Sequence, residues 1–237
     1  AVCAVVTSSV QLVALAIALA VLAAGQPTPA VTRTMGTFEG RPIVVTAPSA
    51  SPTGDAVYAD TTLCLEGPPR RQCFSQQYVT GFRTQIQVVE LGKGQRAILF
   101  AVSEAAMTQS IDHLAILRPD AGAQLKNLLD ADVSVTMFGQ YELWSEPRLS
   151  PAPILVTADY IWRSGEERGS AHRFLISVYT LRDGDPIDGH YELEDRYMTA
   201  RHYNRSDRTF NLLAAEKTEI LARLKNVAAL PPPSPPK

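Results

Sequence analysis

Ile154-Leu155-Val156-Thr157-Ala158-Asp159-Tyr160-Ile161-Trp162-Arg163 sets Ile154, Val156, Ala158, Tyr160 and Trp162 on one parity, while Thr157, Asp159 and Arg163 lie on the other. Side chains alternate faces in a strand, so a β-branched and aromatic run with this period reads as β. The segment opens a longer stretch, Pro151–Asn204, with two more strand patterns. Ala171–Leu181 carries Phe174, Ile176 and Val178 on one parity and Leu175, Tyr179 and Leu181 on the other. A strand apolar on both parities is expected to be covered on both faces, hence central in its sheet. His190–Asn204 is divided, with Tyr191, Leu193 and Tyr197 against Glu192, Glu194, Arg196 and His202. One wet face is expected there.

Working outward, Phe82–Leu91 and Gln95–Ser103 flank Gly92-Lys93-Gly94, a turn of hairpin length. Ser110–Arg118 reads as a strand ending at Pro119. Asp120–Asp130 spaces Leu125, Leu128 and Leu129 as a helix would, with Asp120 in N-cap position. Asp132–Trp144 returns to period two through Val133, Val135 and Met137. Near the end, Leu213, Ile220, Leu221, Leu224 and Val227 share one helical face, and Glu219 stands four residues before Arg223. The fold class expected is mainly β, an antiparallel sandwich-like or α+β domain of about seven to nine strands, with the C-terminal amphipathic helix packed on the sheet.

The first charged residue is Arg33. Val10–Ala24, fifteen almost wholly aliphatic residues, has the length of a signal-peptide core, with small residues at Val21-Leu22-Ala23. Joined to Ala1–Val6 it reaches the roughly 20 residues that span a bilayer, so an uncleaved anchor is the alternative and a buried core helix a third. Residues 1–25 are read as export signal or anchor, a hydrophobic helix outside the domain. Residues 26–57, punctuated by Pro27, Pro29, Pro42, Pro48 and Pro52, are read as an extended linker in which only Arg41–Ala47 resembles an edge strand. A single β-rich domain fills 58–229, and a Pro-rich tail fills 230–237.

Cysteine usage agrees with export. Cys3 lies in the apolar leader, leaving Cys64 and Cys73 as a pair across the turn-forming Gly67-Pro68-Pro69. A disulfide is expected, placing the protein in a secreted, periplasmic or envelope setting. No CxxC or second Cys/His pair at zinc spacing is present.

The chain of 237 residues has a net charge of −2, with 46% hydrophobic and 19% charged residues. That describes a folded globular protein. The net charge argues against a nucleic-acid binder, and no run of five like charges offers a polybasic membrane arm, so membrane contact is expected only through the leader if it stays uncleaved.

Chemistry concentrates in Asp183–His202. Asp183, Asp185 and Asp188 offer oxygens for calcium, but the EF-hand order fails and an Asx-Gly turn explains the same letters. His190, Glu192 and Glu194 alternate on one parity with His202, the residue types of a metal site or an acid/base pair. Yet His190 and His202 stand about 40 Å apart on an extended strand, so they cannot share an ion unless the chain folds back. Asp195 shares the parity of Tyr191 and Tyr197. A carboxylate facing inward needs a partner, such as a tyrosine hydroxyl or Arg173, and a role in fixing register is the simpler assignment. Asp159 carries the same ambiguity. His113, beside Asp112 and Leu114, reads as a satisfied core-edge histidine. No nucleophile elbow, phosphate loop or dinucleotide motif occurs, and no cofactor is expected. Asn204-Arg205-Ser206 is a sequon where the host glycosylates.

Trp144, Tyr160, Trp162 and Tyr191 are the candidate ligand-binding residues, since flat rings with a polar tip suit a protein or carbohydrate ligand. Trp144, in a loop beside Ser145-Glu146-Pro147, is expected to be exposed. Sheet packing explains the same rings. The expectation is an exported, non-catalytic binding or interaction protein. The alternatives are a secreted hydrolase or metal-dependent enzyme using Asp188–His202, with Asp195, His190, Glu192 and His202 as catalytic candidates, and a membrane-anchored structural subunit.

Overall fold

A computed structural model describes residues 30–48, 60–76, 81–106, 109–129, 132–136, 139–161, 167, 170–182, 189–204 and 211–228. The apolar leader, Trp162, Asp183, Asp185, Asp188, the Pro-rich tail, and Arg205 and Ser206 of the sequon lie outside the described residues.

The protein is mainly β, with three antiparallel sheets and a C-terminal helix. The first sheet runs in the order β1 (Ala30–Phe38), β2 (Arg41–Pro48), β3 (Thr61–Leu65), β4 (Gln72–Gln76). The middle sheet holds β5 (Gly81–Gly92), β6 (Gln95–Ala106), β7 (Gln109–Pro119) and β8 (Leu125–Asn127), with β9 (Val133–Thr136) also pairing β7. The third runs β10 (Gln140–Trp144), β11 (Ile154–Tyr160), β12 (Phe174–Leu181), β13 (Tyr191–Met198), and helix α1 spans Leu212–Ala228.

These elements stack as four layers, and the alternation of β6 shows why. Its Ile98, Phe100 and Val102 pack with Phe38, Ile43, Val45, Leu63 and Leu65 of the first sheet. Its Ala97, Leu99 and Ala101 pack the other way, with Leu155, Leu181 and Tyr191 of the third. A strand apolar on both parities needs a cover on each face, and here each cover is another sheet. The third sheet repeats the arrangement. Ile154, Val156, Phe174, Ile176 and Val178 face Leu212, Leu213, Ile220 and Leu224 of α1. The central place expected for Ala171–Leu181 holds, because β12 sits between β11 and β13.

Single bridges stitch the sheets together at their edges. Cys73 lies beside Gln124, and Leu129 lies beside Tyr191, whose amide donates to the Leu128 carbonyl at 2.6 Å. Buried Gln72 donates to the carbonyls of Asp120 and Gly122, both at 2.9 Å, and accepts from Arg41 at 2.8 Å. Asp159 accepts from the backbone amide and hydroxyl of Thr136, which ties β11 to β9.

Four expectations are corrected. The described residues form thirteen strands in three sheets, where about seven to nine strands were expected. The stretch read as a linker is folded over residues 30–48, where β1 and β2 form a hairpin turning at Glu39-Gly40, both with positive φ. Its β2 is an interior strand, because β3 pairs on its other side. Asp120–Asp130 holds no helix in its described part: Leu125–Asn127 is a short strand on β7, with Leu125 buried in the core shared with the first sheet and Leu128 and Leu129 in the core shared with the third. Asp132–Trp144 is not one strand. It splits at Gly139 into β9 and β10 of different sheets, and a Cβ on Gly139 would lie 2.3 Å from the Ala158 carbonyl oxygen.

Candidate functional site

The segment singled out for chemistry becomes β13, the edge strand of the third sheet, and an irregularity governs its side chains. Tyr179 pairs with Leu193 and the next residue, Val178, pairs with Asp195, so Glu194 is an extra residue on β13. An inserted residue reverses the parity beyond it. Cross-strand partners share a face, so Tyr191 and Leu193 lie on the side of the middle sheet, whereas Asp195 and Tyr197 lie on the side of α1.

That reversal gives Asp195 its partner. Arg223 of α1 donates to both carboxylate oxygens, from Nε at 2.6 Å and from an Nη at 3.1 Å. Donation to the Asp195 carboxylate raises the pKa of the Arg223 guanidinium above its already high ordinary value. The same guanidinium lies 4.4 Å over the Tyr197 ring. Arg173, the sequence candidate, instead donates to the carbonyls of Met198 and Thr199. Two turns earlier on α1, Glu216 is buried and accepts hydrogen bonds from the hydroxyls of Tyr197, at 2.9 Å, and Tyr203. Burial, and then the Glu216 carboxylate, push the Tyr203 phenol up to about 12 and the Tyr197 phenol higher still.

The remaining acidic residues form a chain of contacts at the other end of the strand. His190 Nε2 lies 2.7 Å from Glu192, whose carboxyl it holds below the usual range by hydrogen bonding. Arg182 reaches Glu192 at 3.3 Å and Glu194 at 2.5 Å, and the Thr180 hydroxyl also donates to Glu194. His202 is exposed after β13. His190 and Glu192 are therefore in contact, while Asp195 is engaged separately with the helix. Among the described residues no three His, Cys, Asp or Glu side chains are grouped to hold a metal ion. His113 pairs with Glu104 at 3.0 Å.

The three described aromatic candidates, Trp144, Tyr160 and Tyr191, lie inside. Trp144 is 6% exposed, which overturns its expected exposure. Its indole donates to Glu142 at 2.7 Å and sits beneath Lys217 at 4.9 Å. Tyr160 packs among Phe174 and His172 under α1. Tyr191 is 1% exposed, its hydroxyl donating to the Pro153 carbonyl at 2.9 Å, and burial raises its pKa. These three rings are packing surfaces of the layers. Cys64 and Cys73 are directly opposed on β3 and β4 and form the expected disulfide.

Two concavities flank β13. A cleft of about 180 Å³ is lined by Leu149, Ile154, Leu224, Arg182 and Glu194 among others, but Arg182 at its mouth is committed to glutamates. A shallower depression of about 450 Å³ lies between Tyr179, Leu193, Arg196 and Asp132. Neither brings a nucleophile, a base and an oxyanion donor together.

The most open element was missed by sequence reasoning. β1 is an edge strand with eight of its nine residues exposed, Val31 (40%) and Met35 (39%) among them. Among the described residues, β2 is the only strand that pairs with it. Glu39-Gly40 between two runs rich in Thr and Val was the available signal, masked by the neighbouring prolines. Also missed were Glu216, Arg182 and the cap of α1. There Asn211 accepts from the Ala214 amide at 2.9 Å, and Gln140 of β10 accepts from the Leu213 amide at 3.1 Å.

No family model, curated protein or solved structure matches this chain.

Proposed function

We propose that this chain is a non-catalytic interaction protein, exported to an envelope or extracellular space, that meets a protein partner through the outer edge of β1. The carrying observation is the exposure of that nine-residue strand at the end of the first sheet. An open edge displays a row of backbone donors and acceptors, and partners use such rows to add a strand. The backbone supplies affinity there, and alternate side chains supply selectivity.

Two further observations support the reading. The Cys64–Cys73 disulfide suits an oxidising compartment. The residues of the types used in catalysis mostly hold layers together, as Asp195 with Arg223 and Glu216 with its two tyrosines do.

The test is site-specific photo-crosslinking in the native compartment. A photoreactive residue at Thr32 or Thr34 is expected to give a discrete adduct, and the same residue at exposed Thr218 or Asn226 of α1 is not. Adducts from the helix positions with none from β1 would contradict the proposal.

A further inference from the structure

We infer that the partner of β1 is a second copy of this chain, joined edge to edge across a twofold axis at Thr32. The inference rests on the reading of β1 as the contact edge and names its occupant.

Geometry limits the possible registers. Antiparallel strands related by a twofold keep each sheet face on its own side, so opposed residues must share a parity. The regular part of β1 is Ala30–Thr34, because the register shifts between Thr34 and Gly36. Centring the axis on Arg33 would set two guanidiniums directly opposite, which is unfavourable. Centring it on Thr34 runs the pairing into the irregularity. An axis at Thr32 uses the whole regular stretch: Ala30 opposes Thr34, Val31 opposes Arg33, and Thr32 opposes itself.

The side chains match on both faces in that register. Thr32 pairs with Thr46, Thr46 with Thr62, and Thr62 with Ser75, so a row of hydroxyls crosses the sheet on one face. Thr32 and Thr46 are hydrogen-bonded at 3.0 Å, and Thr62 and Ser75 at 2.8 Å. The twofold sets the two Thr32 side chains together, a favourable cross-strand pair, and carries the row into the second copy. On the other face the aliphatic stem of each Arg33 covers the exposed Val31 of its partner. Four strands from each copy become one sheet. Five opposed residues bury less than a standard interface, so the association is reversible and depends on concentration.

Sedimentation equilibrium of the full chain from about 5 to 500 µM tests this. The average mass is expected to rise from 25.8 kDa towards twice that value. T32K and T32E each put like charges face to face and are expected to stay monomeric. Their equimolar mixture puts opposite charges face to face and is expected to dimerise again. Thr32 is exposed, so in dilute solution, where the parent is also monomeric, both variants should keep the circular dichroism and Tm of the parent. A parent that remains monomeric at the highest concentration, a T32K variant that associates like the parent, or a mixture that stays monomeric would overturn the inference. A photo-adduct at Thr32 containing a different protein would also overturn it while leaving β1 as the contact edge, and no adduct at β1 would remove both.

Discussion

Asp195 and Arg223 carry the link between strand β13 and the C-terminal helix. Asp195 is mostly buried and Arg223 is partly exposed, so screening reduces the worth of the pair. D195A or R223A is expected to cost about 1–2 kcal/mol, with a sub-additive double mutant, read from urea midpoints. Additive losses would show that the two side chains do not act together. The tyrosines give a sign that can be checked. A phenol with a higher pKa folded than unfolded contributes fully below its ordinary value near 10, and that contribution is lost as pH rises through the folded value. Tyr191, Tyr197 and Tyr203 are all raised, Tyr203 to about 12. The urea midpoint is therefore expected to be flat through about pH 9 and to fall between about pH 10 and 12, with E216Q weakening the fall. A midpoint that is level across that range would contradict the Glu216 arrangement. At this scale the sequence showed that Asp195 needs a partner but not which one. One extra residue at Glu194 turns the carboxylate to the helix side, and a bulge leaves no periodic trace. Trp144 misled for a related reason, since its cover comes from Lys217, far along the chain.

Among elements, legibility followed locality. The hairpin at Lys93-Gly94, the strands β11 and β12 and the helix all declare themselves through nearby residues, and each forms as its pattern implies. The segment around Leu125–Leu129 did not, because apolar residues spaced three and four apart fit a helix as well as a chain winding between two cores. The β1–β2 hairpin was hidden by Pro42 and Pro48, although proline is tolerated where a ladder hydrogen bond is not required. The disulfide was legible because both cysteines flank a turn, and it closes the β3–β4 hairpin. Replacing both cysteines with serine is expected to cost about 2.5–3 kcal/mol in the chain-entropy account, read by denaturation. An unchanged midpoint under oxidising conditions would show that the bond is not formed in solution.

For the whole molecule, alternation within β6 and within β11 commits the chain to covers on both faces, and the stack of three sheets and a helix answers that demand. Asp195 with Arg223, and Glu216 with Tyr197 and Tyr203, join the helix to the third sheet, and β1 lies at the margin of the stack. Which surface lies open was illegible in advance, because exposure depends on how sheets far apart in the sequence overlap. Hydrogen exchange of the native chain, followed by mass spectrometry at low concentration, tests this most directly. The account predicts the slowest amides in β6, β7, β11 and β12, with fast exchange over Ala30–Thr34 that slows as the concentration rises. Protection of Ala30–Thr34 equal to that of β6 in dilute solution would mean that the edge is already covered, and would contradict the account.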